Sequence, residues 1–279
     1  MTPAIAGLVL FAALLHSSWN AIAKAIPDRL ASSTLIALVY LVAGFIGIFV
    51  FGLPAAAAWP FVVVSAFLQT AYLILLTTSY KYGDFSQVYP LARGLAVLLI
   101  AIVAVTFLAE NLSVLQLAGV AVVGGSLLAL ALIGKGSSRL GVMFAVLTGI
   151  FIAAYSLVDG LGVRESGNPL AYISWLFFLQ GWMIPAVCWR LSPSRTVYVA
   201  GIKAHWKLGA LGGLLSMLAY GMVVWAQNIA PLALVSALRE SSVLLAGVMG
   251  AVFFREKFSL VRLALTTTAV AGIAALQLG

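Results

Sequence analysis

The sequence predicts an all-α integral membrane protein, with ten transmembrane helices arranged as two inverted repeats of five. Its 279 residues are 64% hydrophobic and 8% charged, whereas a soluble domain has roughly 25% charged residues. A spanning helix needs about 20 mostly apolar residues, and ten runs of that length can be placed in the chain. A third observation, an internal repeat, predicts the inverted arrangement.

The ten runs follow one another through the whole chain with mostly short connections, and a β-barrel is excluded because its strands have about 10 residues. The longest connection, about 191–205, separates the seventh run from the eighth. The predicted helices cover 3–24, 32–53, 58–80, 85–108, 113–133, 140–159, 169–190, 206–228, 231–254 and 258–278.

The repeat joins residues 84–113 to residues 230–259 at a constant offset of 146 without a gap. Apolar identities arise by chance in so apolar a chain, but two pairs of charged residues also align. Arg93 meets Arg239, and Glu110 meets Glu256. An arginine inside an apolar helix is costly in lipid, so its duplication needs a functional or structural reason.

This offset places the fourth helix on the ninth and the fifth on the tenth, so each repeat contains five helices. Because five is odd, the second repeat must enter the membrane inverted relative to the first. The sequence therefore predicts one repeat over residues 1–134 and an inverted one over residues 138–279. Inverted repeats of this kind are a known transporter architecture, with the substrate site near the middle of the bilayer.

The net charge of +8 indicates membrane orientation and not nucleic-acid binding, because the basic residues lie mostly in short loops. The even-numbered loops, numbered by the helix before them, hold only Arg164. By the positive-inside rule the odd-numbered loops are cytoplasmic and both termini are outside. We expect a multi-pass protein of the inner membrane, in contact with lipid; a monomer is compatible with the sequence. The odd-numbered loops hold Arg29, Lys81, Lys135, Arg139, Arg190, Arg195, Lys203, Lys207, Arg255 and Lys257.

The predicted substrate-binding site is organised around Arg93 and Arg239. Arg93 lies eight residues after Phe85, about 12 Å into the bilayer, and inversion gives Arg239 the same depth from the other surface. A guanidinium group binds carboxylate or phosphate-like groups in bidentate geometry. Structural alternatives stay open: Arg239 could neutralise Glu240 or a helix C-terminus, and Arg93 could pair with Asp159.

Polar and aromatic residues inside the helices are the further candidates for the substrate cavity. In the first helix, Asn20 shares a face with His16 and Lys24 at a spacing of four residues, and Trp19 lies beside them. Aromatic faces also bind ammonium groups. The predicted lining residues are Trp19, Asn20, Tyr72, Tyr89, Tyr155, Trp175 and Trp225.

Four carboxylates receive separate interpretations. Glu240 is as deep as Arg239, so it must be paired or protonated, and it is our candidate for coupling transport to protons. Asp159 lies at the predicted end of the sixth helix, where solvation is the expected state. Glu110 and Glu256 each precede a helix start and are interpreted as caps that suit its positive dipole end.

The same residues argue against other classes of function. Asp84 in a loop and Asp159 at a helix end do not form the buried dyad of an intramembrane aspartyl protease. The two histidines are far apart and Cys188 is the single cysteine, so no metal site is predicted. No Walker-type Gly-Lys-Ser run occurs. We therefore expect no catalytic residues, no cofactor and no enzyme activity; an intramembrane enzyme or lipid scramblase is the alternative outside transport.

Two motifs and the helix count carry a family resemblance. Tyr89–Gly94 reads YPLARG, Leu238–Ser242 reads LRESS, and a Glu-x-x-Ser element begins at Glu110 and again at Glu256. With ten helices in two inverted halves, these stretches resemble the EamA-type (DUF6) permeases of the drug/metabolite transporter superfamily. The small multidrug members of that superfamily use a glutamate in an early helix, which this first helix lacks.

The resemblance implies a secondary transporter that works by alternating access of a central cavity, often an exporter of amino acids and related metabolites. Together with the buried positive charge, it predicts an exporter of small zwitterionic or anionic metabolites such as amino acids. The alternatives within transport are an importer of choline- or phosphonate-like nutrients and a multidrug exporter.

Overall fold

The computed structural model describes residues 1–133, 136–245 and 260–279, with only the backbone of Arg262, and every regular element in these residues is helical. A short 3-10 helix, Ala56–Ala58, precedes α3. The α-helices are α1 Pro3–Ala25, α2 Arg29–Phe51, α3 Trp59–Tyr82, α4 Phe85–Thr106, α5 Val114–Ile133, α6 Arg139–Arg164, α7 Pro169–Leu191, α8 Arg195–Ile229, α9 Leu232–Arg239 and α10 Leu260–Leu278.

Eight helical segments within the described residues are long and apolar enough to cross a membrane. They correspond to α1–α8, with the 3-10 helix counted together with α3. Within α10, residues Leu263–Leu278 form a shorter apolar segment. The chain is therefore an all-α, multi-pass membrane protein, as its composition predicts.

Side chains in the connections determine where several helices begin. The Asp28 carboxylate accepts hydrogen bonds from Leu30 N and Ala31 N at the start of α2. Asp84 accepts one from Ser86 N at the start of α4, and Asn168 caps α7. Each cap satisfies backbone N–H groups that have no partner within the helix. The caps therefore stabilise the first turns of α2, α4 and α7.

Apart from the ninth helix, two boundaries differ from the predicted ones by five residues or more. The helix α6 continues to Arg164, five residues past the predicted end, and the added residues Gly160–Val163 are all uncharged. The predicted connection 191–205 contains the first part of α8, and His205 has non-helical backbone angles (φ −116°, ψ 15°). Residues 195–204 thus form a short helix before the spanning one.

The ninth predicted helix, 231–254, is interrupted where the prediction has a continuous span. Pro231 precedes α9, and α9 ends at Arg239. Glu240 N donates to Ala237 O and Val243 N donates to Glu240 O, so the chain makes tighter, 3-10-type bonds there before helical backbone resumes over 241–245. The rest of that predicted helix and Glu256 lie outside the described residues.

The chain divides into two compact units, and each combines segments from both halves of the sequence. The first unit consists of 1–13, 71–157 and 230–279. The second unit consists of 14–70 and 158–229.

Within each unit, helices that occupy matching places in the two predicted repeats pack antiparallel. In the second unit α2 packs on α7: Asn168 Nδ2 donates to Phe51 O at 3.1 Å. A Cβ added at Gly181 would lie 2.5 Å from the Leu41 backbone. In the first unit α5 packs on α10, where a Cβ added at Gly119 would lie 2.8 Å from Gly272 O.

Candidate functional site

The first unit contains a buried ion pair between α4 and the chain that follows α9. Arg93 Nε donates to Glu240 Oε2 at 2.8 Å, and Arg93 Nη2 donates to Glu240 Oε1 at 2.6 Å. Arg93 is 2% exposed and Glu240 is 4% exposed. Two parallel, charge-assisted hydrogen bonds hold both side chains in one geometry, which answers the requirement that a deep glutamate be paired.

Four further side chains of the first unit lie around the Arg93–Glu240 pair. Tyr72, Tyr89 and Tyr155 all lie within electrostatic range of Arg93, and both Arg93 and Arg239 lie within electrostatic range of Glu240. We call this set the arginine cluster: Tyr72, Tyr89, Arg93, Tyr155, Arg239 and Glu240.

The second arginine of the cluster faces the tyrosines. Arg239 Nη2 lies 3.5 Å from Tyr155 Oη, and the rings of Tyr155 and Tyr72 are edge to face with centroids 5.5 Å apart. Arg239 is 7% exposed and Tyr155 is 3% exposed. The tyrosine rings thus form an aromatic wall around two guanidinium groups, with phenol oxygens that can donate or accept hydrogen bonds.

The helix α9 is held at both of its ends by residues that belong to α4 or follow it. At its N-terminus, Leu232 N donates to Glu110 Oε1 at 2.7 Å and Ala233 N donates to Glu110 Oε2 at 3.3 Å. At its C-terminus, Glu240 binds Arg93. Glu110 was predicted to cap the helix that follows it; its carboxylate instead caps α9. These two contacts make α4 and α9 antiparallel.

The cluster has an excess of one positive charge when all its acidic and basic groups are ionised, since two arginines face one glutamate. Guanidinium groups remain protonated in proteins. A charge buried in an apolar membrane interior needs hydrogen-bonding partners. An anionic group of a substrate is the kind of ligand that this arrangement can bind.

Three serine hydroxyls next to cluster residues are buried and make no hydrogen bond in the described part of the chain. They belong to Ser156, Ser241 and Ser242. Other buried hydroxyls donate to a carbonyl one turn earlier, for example Thr70 to Ala66 O and Thr148 to Phe144 O, which is a common solution in a helix. Hydroxyls without this bond remain available to a ligand or to water.

A second polar cluster, in the second unit, surrounds Asp159. Tyr172 Oη donates to Asp159 Oδ1 at 2.9 Å, and Gln69 Nε2 donates to Asp159 Oδ2 at 3.0 Å. Tyr220 Oη also donates to Oδ2. The expectation that Asp159 is solvated was wrong: it is 0% exposed, because α6 extends past it to Arg164 and keeps it inside the helix packing.

The structure shows which carboxylate pairs with Arg93. Its guanidinium group binds Glu240, not Asp159. Sequence reasoning placed Glu240 beside Arg239 but did not connect it to Arg93, 147 positions away. The alignment of α4 with α9 in the predicted repeat was the available signal, because the two helices pack antiparallel and Arg93 thereby meets the residue that follows α9.

The other predicted lining residues lie in the second unit and make local contacts. Trp19 Nε1 donates to His16 Nδ1 at 3.3 Å, and Asn20 Nδ2 donates to His16 O at 2.8 Å. Trp175 Nε1 donates to Gly52 O at 3.1 Å. Trp225 is 38% exposed. A substrate role for these four residues remains a prediction.

Comparison with known proteins gives a family match and a similar fold. A model of the EamA-like transporter family matches residues 139–277, about half of the chain. A solved structure titled only "Crystal structure of protein" has a TM-score of 0.75 and 16% sequence identity, and the alignment covers 100% of this chain and 98% of that chain. At this identity the likeness concerns the fold alone. No curated protein matches the chain.

Proposed function

The chain belongs to the EamA-like transporter family, and on that premise we propose that it is a secondary active transporter for small metabolites that carry a carboxylate. Amino acids and related zwitterions or anions are the expected substrates, and export across the inner membrane is the expected direction. The observation that carries this proposal is the arginine cluster, in which two buried guanidinium groups face one glutamate.

The charge excess supports an anionic or zwitterionic substrate through simple electrostatics. A carboxylate bound beside Arg93 and the tyrosines would be attracted by the guanidinium charge and could accept hydrogen bonds from it. A substrate with positive charge only would add to the repulsion. A cluster of this composition therefore favours amino acids over purely cationic drugs.

The antiparallel contacts support alternating access between two inverted repeats. In three cases a helix packs antiparallel to the helix at the equivalent position of the other predicted repeat: α2 with α7, α4 with α9, and α5 with α10. A two-fold axis in the membrane plane would produce such pairs. Rocking of the two repeats about the substrate would then expose it to each side in turn.

Proton coupling through Glu240 is the energy source that we propose. Uptake of a proton by Glu240 would break its bidentate pair with Arg93, so protonation and substrate binding at Arg93 would be linked. Arg93, Arg239 and Tyr89 are the titratable groups that act on Glu240. Unchanged transport with unchanged pH dependence in Glu240→Gln would contradict this coupling role.

The test of the function is counterflow of a labelled amino-acid panel into proteoliposomes that contain the purified protein. We expect saturable exchange by the wild type, and a rise of at least about tenfold in KM with Arg93→Ala, since a charge-assisted hydrogen bond contributes about 1.5–3 kcal/mol. Arg190→Ala is the matched control, because Arg190 is exposed at the end of α7. No exchange of any acid on the panel by the wild type would refute the proposal.

A second candidate, transport of a choline-like cation by import or multidrug efflux, is favoured by one observation. The carboxylate of Asp159 is buried beside the rings of Tyr172 and Tyr220, and aromatic rings with a carboxylate bind quaternary ammonium groups. Counterflow of labelled choline that is lost in Asp159→Asn but kept in Arg93→Ala would support this candidate over the first.

A further inference from the structure

The guanidinium group of Arg93 has two bidentate edges, and Glu240 occupies only one of them. The inner edge consists of Nε and one N–H of Nη2, and both donate to Glu240. The outer edge consists of Nη1 and the second N–H of Nη2. Five N–H donors in a rigid plane allow both edges to be used at once. Within the described residues, Nη1 has no hydrogen-bond partner.

Glu240 is itself held in place from outside the ion pair. It follows α9 directly, and its own N–H donates to Ala237 O and Leu238 O. The N-terminus of α9 is fixed by Glu110, and the buried side chains of Leu234 and Ala237 pack with Val97 of α4. The carboxylate therefore reaches Arg93 from a fixed backbone position, and a two-point contact sets the plane of the guanidinium group.

We propose that Glu240 is a positioning residue that orients Arg93, so that the outer Nη1–Nη2 edge binds the carboxylate of the transported substrate. This inference rests on the proposed function and adds an atomic role to each partner. In this role Glu240 does not compete with the substrate for Arg93; it holds the guanidinium group in the orientation that binds the substrate. The outer edge selects planar anions with two oxygens on one carbon, in preference to the corresponding uncharged amides.

Electrostatics alone predicts the opposite change in KM when Glu240 loses its carboxylate, so the experiment distinguishes the two roles. Removing the carboxylate raises the positive charge of the cluster, so a role limited to charge balance or competition predicts tighter binding of an acid. A positioning role predicts weaker binding, because the Arg93 plane is no longer fixed by two hydrogen bonds. The sign of the change in KM separates the two roles.

The experiment measures KM and maximal rate for the counterflow of one amino acid, with its amide as unlabelled competitor, in the full-length protein. For Glu240→Gln we expect KM for the acid to rise about tenfold with a smaller change in maximal rate, since roughly one charge-assisted bond is lost. In an Arg93→Lys background the same Glu240→Gln change should have no further effect on KM. A lower or unchanged KM in Glu240→Gln would overturn the proposal.

Arg93→Lys keeps the proposal testable even where Glu240→Gln does not fold. Lysine retains the charge and the ion pair with Glu240 but offers a point charge without a planar edge. We expect it to reduce the preference for acid over amide at least about tenfold; an unchanged preference would overturn the proposal. If Glu240→Gln and Arg93→Lys both exchange the acid as the wild type does, the positioning role of Glu240 is wrong, but the proposed transport function is not contradicted. If the wild type exchanges no acid, the transport function and the positioning role are both contradicted.

Discussion

The carboxylate of Asp159 is buried among donors from neighbouring helices. Its two oxygens accept hydrogen bonds from Tyr172, Gln69 and Tyr220, which come from three different helices. A buried carboxylate that collects several donors also orders the helices that supply them. The cluster thus links α3, α6, α7 and α8 inside the second unit.

Asp159→Ala is expected to destabilise the protein by about 2–4 kcal/mol, because one buried and two partly buried donors lose their acceptor. Asp159→Asn should retain most of the stability, since the amide keeps one acceptor oxygen and fits the same volume. Thermal unfolding in detergent, followed by tryptophan fluorescence, measures the difference. Glu165→Ala is the control: this exposed residue of the following turn should change the free energy of unfolding by less than about 0.5 kcal/mol. Equal effects of all three substitutions would contradict the structural role.

At the scale of elements, α9 is a short helix whose position depends on a carboxylate from a distant connection. Leu232 and Ala233 are 0% and 1% exposed, so their N–H groups cannot turn to water. Glu110 supplies both acceptors, and the negative charge also suits the positive end of the helix dipole. The cap therefore acts on the arginine cluster at the other end of α9.

Glu110→Ala is expected to lower the free energy of unfolding by about 1–2 kcal/mol, within the range of a lost helix cap, and to raise KM for the transported acid. Glu110→Gln keeps an acceptor for Leu232 N and should recover most of both properties. Thermal unfolding and counterflow on the same three proteins measure this. Identical behaviour of the Ala and Gln variants would show that the cap does not position α9.

The crossing of α5 and α10 depends on glycine at the point of closest approach. A Cβ at Gly119 would lie 2.8 Å from Gly272 O, whereas a Cβ at Gly125 on the same helix would meet nothing within 4 Å. Gly119→Ala should destabilise the protein by about 1–3 kcal/mol through overpacking. Gly125→Ala should be neutral or stabilising by up to about 1 kcal/mol, since alanine favours helix. Thermal unfolding of the two variants compares them directly, and a stabilising Gly119→Ala would contradict the close packing.

For the whole molecule, composition and the length of the apolar runs predicted the membrane class and most helix positions, because the bilayer imposes a length on every spanning helix. Pairings between distant residues were harder to predict. Arg93 and Glu240 were each identified as deep charges, yet their pairing depends on how α4 and α9 pack. Asp159 was misassigned because a helix end read from hydropathy was five residues short. The inverted repeat and the substrate roles stay predictions.

The membrane orientation predicted from the charge of the loops can be tested with a single-cysteine series. Cys188 is the one cysteine of the chain and is 0% exposed, so Cys188→Ala provides the background. Ala57 and Glu165 are exposed and follow even-numbered helices, whereas Thr196 is exposed in the first turn of α8, before the kink at His205. The positive-inside rule predicts that the first two positions face outside and the third faces the cytoplasm.

In intact cells, a membrane-impermeant maleimide should label Ala57→Cys and Glu165→Cys, and it should label Thr196→Cys only after permeabilisation. Labelling of Thr196→Cys alone would show the opposite orientation of the whole chain. Labelling of only one of Ala57→Cys and Glu165→Cys would place them on different sides. An odd number of spans would then separate them, and the five-plus-five inverted repeat would be wrong. The two-residue comparison therefore tests the helix count independently of the direction of insertion.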